Sequence, residues 1–207
     1  MKTKTFKTYN TDQLKNESQV KEIKDFPDSD KKILLLFGKT GTGKTHLSYA
    51  LMNQQGFRDS DIRYSTFGFR QPNYKFVPSR KLYFLILEAM YPSLDIGKNF
   101  LPEYTYRALM SGDTHYNRGI IIDDLGSEKN DEKENFKIGI TQLLEEYRGK
   151  FVITTNLDIS DIQERYGEKI LSRISESCLP IKIDGDDYRL RNFGVSSVSE
   201  LTGAKCD

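Results

Sequence analysis

Short apolar runs alternate with amphipathic stretches along most of this 207-residue chain. Runs of about five apolar or β-branched residues are typical of strands that are covered on both faces of a sheet. Such runs predict strands over residues 33–37, 119–123, 151–155 and 179–183. Residues 62–77 alternate β-branched and aromatic residues with polar ones, which predicts one or two further strands.

Stretches with helical spacing separate these runs. In residues 132–148 the apolar positions recur at the spacing of one buried helical face. That face comprises Phe136, Ile140, Leu143, Leu144 and Tyr147. Similar spacing predicts helices over residues 46–54, 80–90, 101–110, 160–166 and 168–176. Because strands and helices alternate, the pattern predicts an α/β fold with a parallel sheet between helices.

Polar segments flank this pattern at both ends. Residues 1–31 are rich in Lys, Asp, Glu and Thr and are predicted to form a polar N-terminal arm. The arm either holds one short helix, around residues 12–24, or is partly disordered. One domain is expected over residues 32–191, followed by a C-terminal tail over 192–207.

Composition and charge narrow the range of functions. The net charge is +1, so any surface that binds nucleic acid must be a local one. Cys178 and Cys206 lack the spacing of metal ligands, so neither a zinc site nor a required disulfide is expected. No apolar run approaches the roughly 20 residues that span a bilayer, and no secretory signal pattern is visible. We therefore expect a soluble cytoplasmic protein without a membrane partner.

The most specific chemical signal is a glycine-rich loop between the first predicted strand and the first predicted helix. Residues 38–45 match the pattern G-x-x-x-x-G-K-[ST] in full. Its glycines allow backbone amides to point at a phosphate, while Lys44 would reach the β- and γ-phosphates and Thr45 would ligate Mg²⁺. The predicted nucleotide-binding residues are Gly38, Lys39, Thr40, Gly41, Thr42, Gly43, Lys44, Thr45 and His46. The expected cofactors are therefore a nucleoside triphosphate, ATP, and Mg²⁺.

Polar side chains also follow two other predicted strands. Asp123 and Asp124 close the second apolar run, where Asp123 could hold Mg²⁺ and Asp124 could orient or deprotonate an attacking water. Asn156 follows the third run and could hydrogen-bond the γ-phosphate or that water. The alternatives are an acidic pair that merely begins a turn before Gly126, and an Asn156 that caps the next helix.

Basic residues form two patterns of interest. Arg165, Lys169 and Arg173 would share one helical face if the helix continued through Gly167. This stripe is either a solvated face or places Arg173 as an arginine finger on the γ-phosphate of a neighbouring subunit. Residues 58–83 interleave basic and aromatic side chains, which suits single-stranded nucleic acid but also suits aromatic core positions on a strand.

Four segments together resemble the AAA+ helicase-loader family of DnaC and DnaI and the related IstB transposition helper ATPases. They are residues 38–47, 120–126, 154–156 and 166–173, and the resemblance covers residues 32–191. It implies a P-loop NTPase with an AAA+ αβα core and a five-stranded parallel sheet, which assembles into rings or spirals and binds single-stranded DNA. It also implies that Asn156 is sensor 1, Arg173 the arginine finger, and Arg189 the second sensing arginine, with Arg191 as its substitute.

The chain departs from that family in several respects. Residues 1–31 are too short for the domain with which loaders grip the helicase, and they lack the zinc ligands of some members. Lys169 stands where the family often has Arg. No C-terminal helical lid is expected after the last strand.

These features predict an ATP-hydrolysing AAA+ switch in DNA replication, with a replicative helicase as partner. The alternative is an IstB-like helper ATPase of a transposase. In both cases Arg173 would contact a second subunit of this protein or a subunit of another AAA+ protein. A P-loop small-molecule kinase is less favoured because no arginine-bearing lid is evident. A guanine-nucleotide switch is also less favoured, because the sequence has no N-K-x-D motif to recognise guanine. A module that only binds nucleotide would not need Asp123, Asp124 and Asn156.

Overall fold

The computed structural model describes residues 4–9, 17–55, 74–91, 119–128, 133–185 and 187–190. Its strands are β1 (Ile33–Phe37), β2 (Tyr74–Pro78), β3 (Gly119–Leu125), β4 (Lys150–Thr155) and β5 (Cys178–Lys182). Its α-helices are α1 (Glu17–Asp25), α2 (Lys44–Gln55), α3 (Ser79–Met90), α4 (Lys133–Glu146), α5 (Ile159–Tyr166) and α6 (Glu168–Glu176). Two short 3₁₀ turns cover Phe6–Thr8 and Phe26–Asp28.

The described strands form a five-stranded sheet in the order β2-β3-β4-β1-β5, and every neighbouring pair is parallel. Ile33 of β1 pairs with Phe151 of β4 on one side and with Cys178 of β5 on the other. Because all strands run in one direction, the carboxyl ends of β1, β3 and β4 meet at the same edge. In open parallel sheets, ligands bind outside that edge.

The strand side chains pack in two hydrophobic cores, one on each face of the sheet, because successive strand residues point to opposite faces. On one face Ile33, Leu35 and Ile153 pack with apolar residues of α3, α4, α5 and α6. On the other face Leu34 and Leu36 pack with residues of α1 and α2. Helices therefore cover both faces, as the sequence pattern predicts.

Part of the polar arm belongs to the second core. Ile23 and Phe26 are completely buried against the sheet. Lys150 secures this segment, since its Nζ donates hydrogen bonds to the carbonyl oxygens of Phe26, Ser29 and Lys31 at 2.9, 2.6 and 2.8 Å. The predicted boundary between residues 31 and 32 stays a prediction, although side chains from the arm contribute to the domain core.

Within the predicted domain, the predicted strands and the predicted helices that fall on described residues are found, with ends that differ by at most two residues. The five-stranded parallel sheet between helices is confirmed. The described part of residues 62–77 forms β2, whereas the predicted helix over 101–110 and the tail over 192–207 lie outside the described residues. Among the described residues, no helix is both long and apolar enough to span a membrane.

Burial of Phe26 predicts that the arm stabilises the domain. Substitution Phe26→Ala leaves a cavity under α1 and is expected to lower the free energy of unfolding by about 3–5 kcal/mol, as measured by urea denaturation. Phe84→Ala on α3 is the matched control, because Phe84 is 37% exposed and its truncation removes fewer contacts. Equal losses for the two variants would contradict an integral role for the arm.

Candidate nucleotide-binding site

The glycine-rich loop leaves the carboxyl end of β1 with three glycines in the left-handed region of backbone space. Gly38, Gly41 and Gly43 have φ angles of 133°, 78° and 92°. A Cβ atom on Gly38 would lie 2.3 Å from the carbonyl oxygen of Ile183, and one on Gly43 would lie 2.6 Å from the ring of Tyr9. Glycine is therefore required at both positions for conformational and steric reasons.

The side chain of Lys44 folds back over this loop. Its Nζ donates hydrogen bonds to the carbonyl oxygens of Gly38 and Lys39 at 2.7 and 2.6 Å, and the residue is only 6% exposed. Burial lowers the pKa of Lys44 to about 8, while the nearby carboxylates of Asp124 and Asp123 oppose that shift. A buried ammonium group held by neutral carbonyls would gain a stronger, charge-assisted hydrogen bond from an anionic phosphate.

Thr45 and Asp123 are in direct contact at the start of α2. The Thr45 Oγ1 donates to Asp123 Oδ1 at 2.8 Å, and the Thr154 Oγ1 donates to the same oxygen at 2.7 Å. The backbone amide of Asp124 in turn donates to the Thr154 Oγ1 at 2.9 Å. A hydroxyl beside a carboxylate is a hard-oxygen donor set of the kind that Mg²⁺ prefers, completed by waters and phosphate oxygens. These residues therefore fit the predicted metal.

Asp124 has an unusual backbone conformation. Its φ is 59°, which makes it the non-glycine residue with positive φ among the described residues. Between Ile122 and Leu125 the strand β3 advances three residues, while its partner β4 advances only two, from Ile153 to Thr155. This is a β-bulge, a feature that redirects side chains beside active sites.

The redirected Asp124 carboxylate meets the predicted amide. Asn156 Nδ2 donates to Asp124 Oδ1 at 2.8 Å. Asn156 does not cap the following helix, because α5 begins after Asp158, whose side chain forms a capping box with Asp161. The capping alternative for Asn156 is therefore wrong, and its amide orients Asp124 instead.

A cavity of about 870 Å³ opens over the carboxyl edge of the sheet. The predicted residues that line it are Thr40, Gly41, Gly43, Lys44, Thr45, His46, Asp123, Asp124, Asn156 and Arg189. Gly38 and Lys39 act through the carbonyls that hold Lys44, and Thr42 is fully buried within the loop. The loop, the acidic strand end and the amide are thus brought to one site.

The N-terminal arm supplies lining residues that the sequence reasoning missed, namely Lys4, Thr8 and Tyr9. The hydroxyl of Tyr9 donates to the carbonyl oxygen of Thr42 at 3.0 Å. Burial raises the pKa of Tyr9 to about 12, so the hydroxyl keeps its proton for this bond. No sequence pattern marks Tyr9, because it lies in a polar stretch and acts on a residue that is distant along the chain.

His46 joins the arm to the first turn of α2. Its Nε2 lies 3.0 Å from the carbonyl oxygen of Thr5 and 3.2 Å from the Thr8 Oγ1. Its ring also meets the ring of Tyr9 edge-on at 5.5 Å between centroids. His46 therefore lines the cavity and also holds the arm beside it.

The turn after β5 closes the opposite side of the loop. The amide of Tyr188 donates to the carbonyl oxygen of Gly41 at 3.1 Å, and the amide of Arg189 donates to Asp187 Oδ1 at 2.9 Å. These bonds place Arg189 at the cavity, as the resemblance implies. Its suggested substitute Arg191 lies outside the described residues.

Arg173 lies away from the cavity, on α6. Its Nε is 3.1 Å from Glu145 Oε1, and Lys169 approaches the same carboxylate at 3.7 Å. The helix does not continue through Gly167, which has a φ of 90°. Arg165 consequently faces elsewhere and pairs with Glu128 at 3.0 Å, so the predicted three-residue stripe is broken.

The described part of the basic and aromatic segment divides between core and surface. Tyr74 and Tyr83 are buried core residues, as the aromatic-core alternative requires. Phe76 stacks on Tyr49 at 4.3 Å between centroids, and Lys4 Nζ lies 4.4 Å from the Tyr49 ring. Residues 58–73 lie outside the described residues.

No family model and no curated protein matches this chain. Domain III of the replication initiation protein DnaA from Thermotoga maritima superposes with a TM-score of 0.63 at 15% identity, over 100% of this chain and 78% of that chain. DnaA bound to AMPPCP and single-stranded DNA gives a TM-score of 0.58 at 13% identity, over 94% and 62%. DnaI gives a TM-score of 0.51 at 18% identity, over 86% and 90%.

These similarities show that the chain shares the α/β fold of DnaA domain III and of DnaI, with a five-stranded parallel sheet between helices. The DnaI match also agrees, at the level of fold, with the helicase-loader resemblance that the sequence motifs carry.

Thr154 provides a direct test of the Asp123 arrangement. Substitution Thr154→Val keeps the shape of the side chain but removes both the donor to Asp123 and the acceptor for the Asp124 amide. We expect the affinity of the site for Mg²⁺ in the presence of AMPPCP, measured by titration calorimetry, to fall by about 10–100-fold, as for other residues that orient metal ligands.

The matched control for this test is Thr141→Val on α4. The Thr141 hydroxyl donates to the backbone carbonyl oxygen of Lys137 and lies outside the cavity lining, so its loss should leave Mg²⁺ binding unchanged. An unchanged affinity of Thr154→Val for Mg²⁺ would contradict the assignment of Asp123 to the metal.

Proposed function

We propose that this chain binds Mg²⁺ and ATP, hydrolyses ATP, and acts as a nucleotide switch in DNA replication. One observation carries the proposal: Lys44, Thr45, Asp123, Asp124 and Asn156 converge on one cavity from the ends of β1, β3 and β4. Each of the three chemical tasks of the reaction has a residue there. They are neutralisation of phosphate charge, support of a metal, and orientation of water.

Phosphate binding follows from the contacts of Lys44 and the loop. The Lys44 ammonium exchanges the Gly38 and Lys39 carbonyls for β- and γ-phosphate oxygens, while free amides at the start of α2 face the same anion. Thr45 and Asp123 are the residues that would hold Mg²⁺. When bound, the ion neutralises charge that develops on the phosphate oxygens.

Asp124 is the residue that we assign to the attacking water. Its carboxylate accepts a proton from the water as the oxygen attacks the γ-phosphorus and the bond to the β-phosphate oxygen breaks. Asn156 fixes one carboxylate oxygen through its amide, which leaves the other oxygen for the water. The bulge at Asp124 turns this side chain towards the cavity.

The remaining part of the cavity suits the base and ribose. Lys44 and Thr45 fix the phosphate end, so the base extends towards the arm, where Thr8, Tyr9 and His46 line the wall. The turn with Tyr188 and Arg189 also lines the cavity and is held to the loop through the Gly41 carbonyl oxygen. We therefore expect residues of the N-terminal arm to contact the nucleotide base.

The role in replication rests on the kinds of protein that share the fold. One of them is an initiator bound to AMPPCP and single-stranded DNA, and another is DnaI. We favour a helicase-loader-like role with single-stranded DNA and a replicative helicase as partners, and an IstB-like role beside a transposase is the second candidate. A small-molecule kinase is less favoured, because the sequence offers no clear arginine-bearing lid segment.

Steady-state hydrolysis is the direct test of this proposal. ATP turnover is measured against protein concentration, with and without single-stranded DNA, and Lys44→Ala serves as the blank. We expect the rate to rise more steeply than protein concentration, because a shared site requires neighbouring subunits, and to increase further with DNA. A rate that is proportional to protein concentration and does not change when DNA is added would contradict the assembled, DNA-linked ATPase. It would favour a kinase or a switch that acts on protein alone.

Arg173 can be tested by mixing two inactive variants. Arg173→Ala should bind a fluorescent ATP analogue as wild type does but should lose turnover by about 10³-fold or more, because it lacks the finger for its neighbour. Lys44→Ala lacks the phosphate-binding amine but keeps Arg173. Mixing the two variants should restore part of the activity, since a Lys44→Ala subunit can supply Arg173 to its neighbour's intact site.

The matched control for the finger is Arg148→Ala, which removes an exposed arginine that follows α4. This variant should retain wild-type turnover. Full activity of Arg173→Ala alone would remove the finger assignment, and absence of recovery on mixing would contradict a shared site.

A further inference from the structure

Glu128 is a buried carboxylate that the nucleotide chemistry does not use. Its side chain is only 3% exposed. It accepts hydrogen bonds from Ser79 Oγ at 2.5 Å, from the Gly126 amide at 3.0 Å, from Arg165 Nε at 3.0 Å, and from the Tyr166 hydroxyl. These donors belong to three different parts of the fold, namely the start of α3, the turn after β3 and the end of α5.

On one side Glu128 fixes the turn that follows the proposed catalytic aspartate. Gly126 lies two residues after Asp124, and the amide of Ser127 donates to the Asp124 carbonyl oxygen at 3.1 Å. The Ser127 carbonyl oxygen is held in turn by Arg80 Nε at 2.8 Å. Asn156 thus fixes the Asp124 side chain, while Glu128 fixes the backbone turn from which that side chain projects.

On the other side Glu128 fixes the end of the helix that precedes the proposed finger. Arg165 and Tyr166 are the last residues of α5, and Gly167 then redirects the chain into α6, which carries Arg173. The Arg165 Nη2 also donates to the backbone carbonyl oxygen of Glu128 at 2.9 Å. Among the described residues, no atom beyond the adjoining chain lies within 4 Å of a Cβ built on Gly167, so the orientation of α6 is set by contacts of the two helices that flank this glycine.

The ionised form of Glu128 can accept hydrogen bonds from all four of its donors. Burial alone raises the pKa of Glu128, but the hydrogen bonds from Ser79, Tyr166 and the Gly126 amide outweigh this effect and hold the pKa below its ordinary value. The carboxylate therefore accepts at both oxygens. Oε1 faces Arg165 and Tyr166, and Oε2 faces Ser79 and the Gly126 amide.

An amide cannot replace this carboxylate in either orientation. In Glu128→Gln, an NH₂ group at the Oε1 position would point at Arg165 Nε, which can only donate. An NH₂ group at the Oε2 position would point at the Gly126 amide, which can also only donate. The substitution preserves size and shape, yet it must break the link either to α5 or to the turn after Asp124.

We propose that Glu128 is a positioning residue that couples the Asp124 turn to the α5–α6 pair carrying Arg173. Through this carboxylate, a change in the cavity at Asp124 would reach α6, the helix that we assign to the contact with the next subunit, and a change at that contact would reach Asp124. The inference rests on the proposed function for the subunit contact and for its consequence in catalysis. The link between the two segments consists of the hydrogen bonds of Glu128.

Amide hydrogen exchange on the full chain tests the coupling without any turnover. In Glu128→Gln, we expect exchange to rise together in two segments, residues 124–128 and 166–176, and to stay at the wild-type rate in residues 38–47. The matched control, Glu134→Gln, removes an exposed carboxylate on α4 that pairs only with Lys137 in the described residues, and it should change neither segment. A change in one segment alone, or in neither, would overturn the coupling.

Steady-state kinetics on the same variants test the consequence for catalysis. We expect Glu128→Gln to lower kcat by about tenfold or more while KM and the affinity for a fluorescent ATP analogue stay within about twofold of wild type. An unchanged kcat, or a rise in KM alone, would overturn the positioning role. If the wild-type chain shows no turnover, the proposed function fails, whereas hydrogen exchange still decides the coupling.

Discussion

The position of β4 between β1 and β3 is the constraint on which the site depends. The glycine-rich loop follows β1, Asp123 and Asp124 lie at the end of β3, and β4 places Thr154 beside both acidic residues. The Thr154 hydroxyl bonds to both acidic residues, and the Thr45 hydroxyl bonds to Asp123 from the loop side. A sheet with another strand order would separate these groups even if every motif were intact.

The same edge of the sheet carries an electrostatic arrangement that favours a polyanion. Lys44 is buried, and its partners among the described residues are all neutral oxygens, so the site holds a cation whose best partner is a phosphate. Asp123 and Asp124 lie close enough to oppose the effect of burial on Lys44, and a divalent ion between them and the phosphates would balance the added negative charge. Metal and nucleotide binding are therefore expected to support each other.

Much of the fold follows from local signals in the sequence. The apolar runs predict the strands because a buried parallel strand needs no polar alternation. The glycine-rich loop predicts a phosphate site because its spacing matches that of loops whose backbone amides surround a phosphate. Tyr9 and Glu128 could not be predicted, because their partners lie 33 and up to 49 residues away and no periodicity relates them. The predicted basic stripe did not form, because Gly167 turns the chain and leaves Arg165 facing Glu128.

The most direct measurement is a crystal structure of the chain with AMPPCP and Mg²⁺. In that structure we expect Lys44 Nζ to leave the carbonyl oxygens of Gly38 and Lys39 and to bind β- and γ-phosphate oxygens. We also expect the Thr45 hydroxyl to leave Asp123 and to bind the metal ion. A structure in which Lys44 stays on those carbonyls, and in which the nucleotide lies elsewhere or no Mg²⁺ lies near Thr45 and Asp123, would contradict nucleotide binding at this site.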